Sequence, residues 1–284
     1  MHVFQRHPDA IERQFQLRRN VYILVVVMVM AVLFFGGFMA IRSTAKELEL
    51  ARLKSEFVST VSHEFRTPLM SIRYLSEMLD AGRVMGEDKK KIYYGKISKE
   101  SERLSRLIEN MLDFSRIEAG VKKYQFENLS VEALVLDVAE RFKEYVVDKP
   151  VTLKVEIKDH LPSIDADKEA ISRALFNLLD NAVKYSGLDP VIYFRAYCEG
   201  SDLFLEVQDM GVGISLGEQA KVFEKFYRSA DPAQSNIEGS GIGLTLVNHI
   251  ANAHGGKVIM ESDLGKGTKV TLILPISRKG KEDG

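Results

Sequence analysis

Hydrophobic and polar positions divide the chain into segments of distinct texture. Residues 21–41, VYILVVVMVMAVLFFGGFMAI, carry no charge on any face. At about 1.5 Å per residue a helix of this length reaches about 30 Å, the thickness of a bilayer core. A secretory signal has a shorter apolar core followed by a small-residue cleavage site, and a buried helix is rarely apolar all round. The run therefore predicts a membrane span. From 42 to about 80, charged and apolar residues alternate as in one long helix, with Pro68 inside it. AGRVMGED (81–88) predicts a turn. A second helix is expected from about 88 to 119, with Ile97, Leu104, Ile108 and Met111 on a heptad-like seam and Gly120 as its C-cap. Two such helices form a hairpin whose apolar stripes stay partly wet. A dimeric four-helix bundle would bury them; packing on another domain of the same chain is the alternative.

From about 122 the pattern changes. Strand-like runs occur at 151–157, 191–198, 203–209, 256–262 and 268–275, alternating with helical stretches near 130–148, 167–185 and 242–254. This predicts an α/β sandwich whose late strands follow one another as an antiparallel meander.

Length and composition add limits. At 284 residues the chain suits two modest domains, and a net charge of −1 gives no footprint for nucleic acid. Cys198 is the only cysteine, which excludes an internal disulfide and suits a reducing compartment.

The chemistry lies in short motifs. FVSTVSHEFRTPL (57–69) places a histidine one turn before a helix-breaking proline on an otherwise apolar-striped helix. In RALFNLLDNAVKYS (173–186), Asn177 and Asn181 are four apart and share a face with Lys184 and Tyr185. Two carboxamides and a lysine suit a hydrated cation with a polyanion, but a solvated helix face reads the same way. DMGVGIS (209–215) follows a strand: Asp209 can accept a hydrogen bond from an exocyclic amine, and Gly211 and Gly213 allow close backbone approach; a tight turn without ligand is the alternative. Gly239, Gly241 and Gly243 precede a helix whose N-terminal N–H groups favour phosphate. The Lys–Ser/Thr pair of a Walker loop is missing there, and no strand precedes it as in a dinucleotide fingerprint. Between these glycine clusters runs a stretch of about 25 residues with Phe223, Phe226 and Arg228, which suits a nucleotide lid. GKGT (265–268) offers a further close approach.

Taken together and in order, these stretches resemble the bacterial sensor histidine kinases of two-component systems. Residues 57–69 resemble the H box, 177–185 the N box, 209–213, 239–243 and 265–268 the glycine boxes, and 223–226 the F box. The resemblance covers about 45–275. It implies an α+β chain: a single transmembrane helix, a dimeric helical-hairpin (four-helix bundle) domain, and an α/β sandwich ATP-binding domain of the GHKL (Bergerat) type.

The resemblance also implies roles. His63 accepts the γ-phosphoryl group of ATP, as an imidazole that is a neutral nucleophile near pH 7. Glu64 is the expected general base and acceptor for the other ring nitrogen, though helix neighbours lie about 100° apart and it must reach sideways. Thr67 shares the face of His63 and is expected to orient water for dephosphorylating a response regulator. Asn181 is the implied Mg²⁺ ligand, supported by Asn177. Lys184 and Arg228 meet phosphates, Tyr185 packs on the base, Asp209 reads the adenine amine, and Thr268 assists through water. Magnesium and these cations would neutralise the triphosphate during in-line attack. The phosphoryl group then passes to an aspartate on the receiver domain of a separate response regulator, since SRKGKEDG at the end is a polar tail. His249 and His254 are read as structural. Pro68 removes the hydrogen bond to the Glu64 carbonyl, so the helix is expected to bend or loosen at His63 and to change access to it. Unchanged kinase–phosphatase switching in a Pro68→Ala chain would sink that idea.

Positive charges flank the span evenly, with Arg6, Arg13, Arg18 and Arg19 before it and Arg42, Lys46, Arg52 and Lys54 after it. ATP chemistry decides the expected orientation: kinase domains in the cytoplasm of a bacterial cell, anchored in its inner membrane. The expected domains are 1–20, a short outer segment read as the remnant of a longer sensor; 21–41, the span; 42–56, a juxtamembrane helix; 57–120, the dimerisation and phosphotransfer domain; 121–276, the catalytic domain; and 277–284, the tail. Two other classes share parts of this pattern. One is an inactive nucleotide-binding membrane scaffold. The other is an ATPase of the chaperone or mismatch-repair kind, which has no need of a histidine hairpin.

Overall fold

The computed structural model describes residues 8–159, 161–227, 229 and 241–276. The chain divides into two units, Met1–Ser55 and Glu56–Gly284. In the first, helix α1 (Pro8–Asp80) begins, and the side chains described from Tyr22 to Glu49 are all exposed. Among the described residues this is the one helix long and apolar enough to cross a membrane.

The second unit opens with a helical hairpin: the C-terminal part of α1, a turn, and α2 (Glu87–Glu118). The helix α1 runs through Pro68 without a break. The missing proline N–H leaves the Glu64 carbonyl without its usual donor, while the Thr67 hydroxyl donates to the His63 carbonyl at 3.3 Å.

The sandwich follows: β1 (Glu127–Ser130), α3 (Val131–Tyr145), β2 (Thr152–Ile157), β3 (Ser163–Ala166), α4 (Lys168–Tyr185), β4 (Val191–Glu199), β5 (Asp202–Gln208), α5 (Gly243–Ala253), β6 (Lys257–Asp263) and β7 (Gly267–Pro275). The α4 helix forms because Ile171, Ala174, Leu175, Leu178, Leu179 and Ala182 recur at helical spacing and are all buried. Asp167 caps it, accepting the N–H of Ala170 at 2.9 Å. These residues meet Phe142 of α3, Ile250 of α5, and the inward row Ile192, Phe194, Leu205 and Leu272 of the sheet in one core. Truncating a fully buried leucine there, such as Leu175, would cost about 2–5 kcal/mol.

Two features depart from the sequence expectation. The strand order is β2-β4-β5-β7-β6, so the late strands are not a sequential meander. β6 and β7 form a hairpin, but β7 pairs with β5. The long insertion and α5 between β5 and β6 carry the chain across the sheet, and β7 returns into the gap. A second, two-stranded sheet of β1 and β3 also forms. Each of its strands has four residues and one large buried apolar side chain, too short for alternation to register.

His254 is structural, as expected. It is buried against Tyr124 and Phe126. Its Nε2 accepts the Asp167 N–H at 3.0 Å, so Nδ1 carries the proton and donates to the Ile250 carbonyl at 2.8 Å.

The sandwich is docked on the hairpin. Phe226 packs at a tilt on Phe57 (4.5 Å between centroids) and edge-on against Phe114 (5.3 Å), beside Val61 and Ile242. Met111 of the expected heptad seam packs on this cluster, so part of the hairpin stripe is spent within the chain. Ile108 stays 43% exposed, and Val58, Leu69 and Leu112 are also exposed. Asp113 of α2 is buried between Arg173 of α4 and Lys122, and Lys225 meets Glu118 at 2.6 Å.

Candidate functional site

One cavity gathers most of the residues singled out from sequence. Asn177, Asn181, Lys184, Tyr185, Asp209, Gly213, Gly241, Gly243 and Thr268 line it, together with Glu64. Gly211 lies beside it, and His63 and Thr67 are exposed outside its wall. Arg228 and Gly239 lie outside the described residues.

The floor is built by the β5–β7 pairing. Asp209 leaves the end of β5 and is 7% exposed. Its Oδ1 accepts the N–H of Gly211 at 2.8 Å and of Thr268 at 3.1 Å. Oδ2 accepts no bond among the described residues, which leaves it for an amine donor in the cavity. Burial pushes this carboxyl above its ordinary value, while the two N–H donors pull it back. The Thr268 hydroxyl is held at 2.9 Å from Ser262 Oγ.

The glycines serve a purpose different from the one expected. A Cβ on Gly211 would collide with the Tyr185 carbonyl, and one on Gly213, at φ 68°, with the Asp263 carbonyl. Protein backbone, not ligand, fills the space that glycine frees at both positions. The effect is to clamp the Asp209 turn between the end of α4 and the β6–β7 hairpin.

The wall is α4. Tyr185, Asn181 and Asn177 step back along it one turn at a time. Asn181 faces the backbone of Gly243 at the start of α5. Asn177 Oδ1 accepts from Asn110 Nδ2 of the hairpin at 3.3 Å, and Asn177 Nδ2 is buried with no partner among the described residues. Lys184 pairs with Asp180 at 2.8 Å, and the Tyr145 hydroxyl donates to the same carboxylate at 3.3 Å. Burial pulls the Lys184 ammonium down, but Asp180 and Glu64 outweigh it and the net shift is upward. Lys184 therefore stays charged.

Glu64 and His63 diverge. Glu64 is 7% exposed and on the cavity wall; His63 is in solvent. Adjacent positions on a helix point about 100° apart, and in this conformation Glu64 turns to the sandwich instead of to the ring.

Several residues of the site escaped the sequence reading. Arg103, Arg106 and Asn110 enter the cavity from α2. Their polar periodicity looks like an ordinary solvated helix face until the partner domain is in place. Glu218 organises the segment that follows the Asp209 turn, accepting from Tyr227 (2.9 Å), Ser229 (2.8 Å) and Ser215 (2.8 Å). Those hydroxyls hold its carboxyl below the ordinary range, and burial with the Glu218 bond pushes the Tyr227 phenol up to about 12.

Comparison with known proteins agrees with this geometry. Residues 53–120 match the His Kinase A (phospho-acceptor) domain family, and residues 166–278 the family of histidine kinase-, DNA gyrase B- and HSP90-like ATPases. The alginate biosynthesis sensor protein KinB of Pseudomonas aeruginosa is 30% identical over 245 residues, covering 85% of this chain and 40% of that protein. The sensor histidine kinase WalK of Bacillus subtilis is 30% identical over 257 residues, covering 87% of this chain and 41% of WalK. The chain thus spans about two fifths of the length of these curated relatives. Full-length ShkA in complex with AMPPNP shares the fold at a TM-score of 0.55 and 26% identity, over 78% of this chain and 45% of that one. The Acinetobacter baumannii histidine kinase AdeS shares it at 0.53 and 19% identity, over 75% and 98%. A phospho-acceptor hairpin joined to a GHKL ATPase domain, with sensor kinases as relatives, makes this chain a member of the two-component sensor histidine kinase family.

Proposed function

We propose that the chain is the kinase core of a membrane-anchored sensor. It phosphorylates His63 with ATP and passes the phosphoryl group to an aspartate of a separate response regulator. The observation that carries this reading is the pairing, in one unit, of the Asp209–Asn181–Lys184 cavity with an exposed histidine on a helical hairpin. An imidazole nitrogen of His63 attacks the γ-phosphorus, the bond to the β–γ bridging oxygen breaks, and ADP leaves with that oxygen. In this reading Lys184, charged and on the cavity lining, neutralises phosphate, and Asp209 Oδ2 takes the base amine.

The donor set fits Mg²⁺, which takes few protein ligands: the Asn181 carboxamide oxygen makes no other hydrogen bond among the described residues. Bound there, the ion would screen the triphosphate charge. Thr67, on the face of His63, would orient water for phosphatase action on the regulator.

His63 faces away from the cavity of its own chain, so the docked arrangement is a resting one and transfer follows movement of the sandwich. The exposed Leu69, Ile108 and Leu112 support a homodimeric bundle. The apolar run 21–41 supports an anchor, read as in the bacterial inner membrane, and the use of ATP puts the kinase domains on its cytoplasmic side.

The test is incubation of the full chain, in detergent or nanodiscs, with γ-labelled ATP and Mg²⁺. Label that is acid-labile and base-stable, and absent from His63→Gln and Asn181→Ala, is expected. Nucleotide binding without label would favour a scaffold instead.

A further inference from the structure

The hairpin supplies part of the cavity wall, and one of its side chains is poised for a ligand. The guanidinium of Arg106 lies 4.1 Å above the Tyr145 ring and 5.1 Å from that of Phe176, which fixes its plane. Nη1 donates to Glu102 at 3.1 Å. Nη2 is buried and has no acceptor among the described residues. Asn177, the neighbour of Phe176, presents a second buried donor without partner, Nδ2. Both residues line the cavity. Leaving a buried guanidinium donor unmade is costly, and an anionic oxygen is the acceptor that relieves it best.

Helix α4 measures where that oxygen lies. Its Tyr185 end meets the Asp209 turn, where the Val212 N–H donates to the Tyr185 carbonyl at 3.1 Å. Asn177 is two turns away, about 12 Å along the axis. A nucleotide with its base on Asp209 directs its phosphates along α4 towards Asn177 and the hairpin. Arg103 is a second hairpin cation in the cavity lining.

Resting on the reading of this cavity as an ATP site, we propose that Arg106 binds the terminal phosphate of ATP in the docked conformation. The triphosphate then bridges sandwich and hairpin, and ATP holds the docked state where ADP does not. The reactant itself stabilises the resting arrangement, and Arg106 reports whether the γ-phosphate is present.

The experiment compares a non-hydrolysable ATP analogue with ADP, both with Mg²⁺, on the full chain in nanodiscs by calorimetry. Hydrogen exchange across 104–112 is followed in parallel. The native chain is expected to bind the analogue more tightly than ADP and to protect α2 only with the analogue. Arg106→Gln is expected to lose about ten- to a hundredfold in analogue affinity, with ADP affinity held within about twofold. Arg106→Lys, which keeps the cation and the packing, is expected to fall between. Equal loss for both nucleotides, or none, would show that Arg106 only stacks and would overturn the proposal. A native chain that binds neither nucleotide would overturn the reading of the cavity as well.

Discussion

Asp209 accepts the backbone N–H of Thr268 at 3.1 Å across 59 residues of sequence. The link exists because β7 inserts beside β5, and it fixes the carboxylate that faces the cavity. Asp209→Asn is therefore expected to weaken adenine-nucleotide binding by about tenfold or more. The pH dependence follows from the raised carboxyl. For folding, burial favours the neutral form, so this group's contribution is fullest below its ordinary value and is lost as pH rises through the raised one. For binding, the ionised acceptor is needed, so affinity falls as pH drops through the raised value. Calorimetric titrations from neutral to acid pH should show that limb in the native chain and not in Asp209→Asn.

Gly213 and Gly265 separate collision from strain. Both have positive φ, 68° and 76°, but a Cβ at Gly213 strikes the Asp263 carbonyl while one at Gly265 meets open space. Gly265→Ala is expected to cost about 1 kcal/mol, and Gly213→Ala clearly more. Denaturant unfolding of the two variants checks the order.

Phe226 sits at φ 65°, a backbone state uncommon for a side chain of its size, within the Phe57–Phe114 cluster that joins sandwich and hairpin. Each aromatic pair contributes about 0.5–1.5 kcal/mol beyond its buried area. Phe226→Ala is expected to free the sandwich and raise the initial rate of His63 phosphorylation, with nucleotide affinity changed less than about threefold. Single-turnover labelling measures the rate; a fall would show that this contact belongs to the transferring state.

Thr67 donates to the His63 carbonyl and is exposed beside it. Thr67→Ala is expected to leave His63 labelling within about twofold, since the lost bond is a surface one. It should slow the loss of phosphate from the response regulator, followed by the decay of purified phospho-regulator.

Much of this was legible in the sequence where one periodicity decides. The alternation of strand and helix runs after residue 122, with the α4 face from Ile171 to Ala182, made the sandwich legible, and the ligand class came through the family resemblance that the ordered motifs carry. The position of β7 was not legible, because strand pairing across the insertion between Gln208 and Lys257 is a long-range choice that no local pattern encodes. Nor were Arg106 and Asn110: on an isolated helix they are solvated polar residues, and only docking brings them to the cavity. The direction of Glu64 was hidden for the same reason, since it follows from which domain occupies that side of α1.

The central claim is that His63 is the phosphoryl acceptor. It is tested most directly by mapping the modified residue. The full chain is treated with ATP and Mg²⁺, digested at alkaline pH and sequenced by mass spectrometry. The expected result is phosphate on His63 in the peptide spanning 57–66, and none in the presence of the Asn181→Ala substitution. Phosphate on His249, His254 or a hydroxyl side chain, with His63 unmodified, would contradict the account.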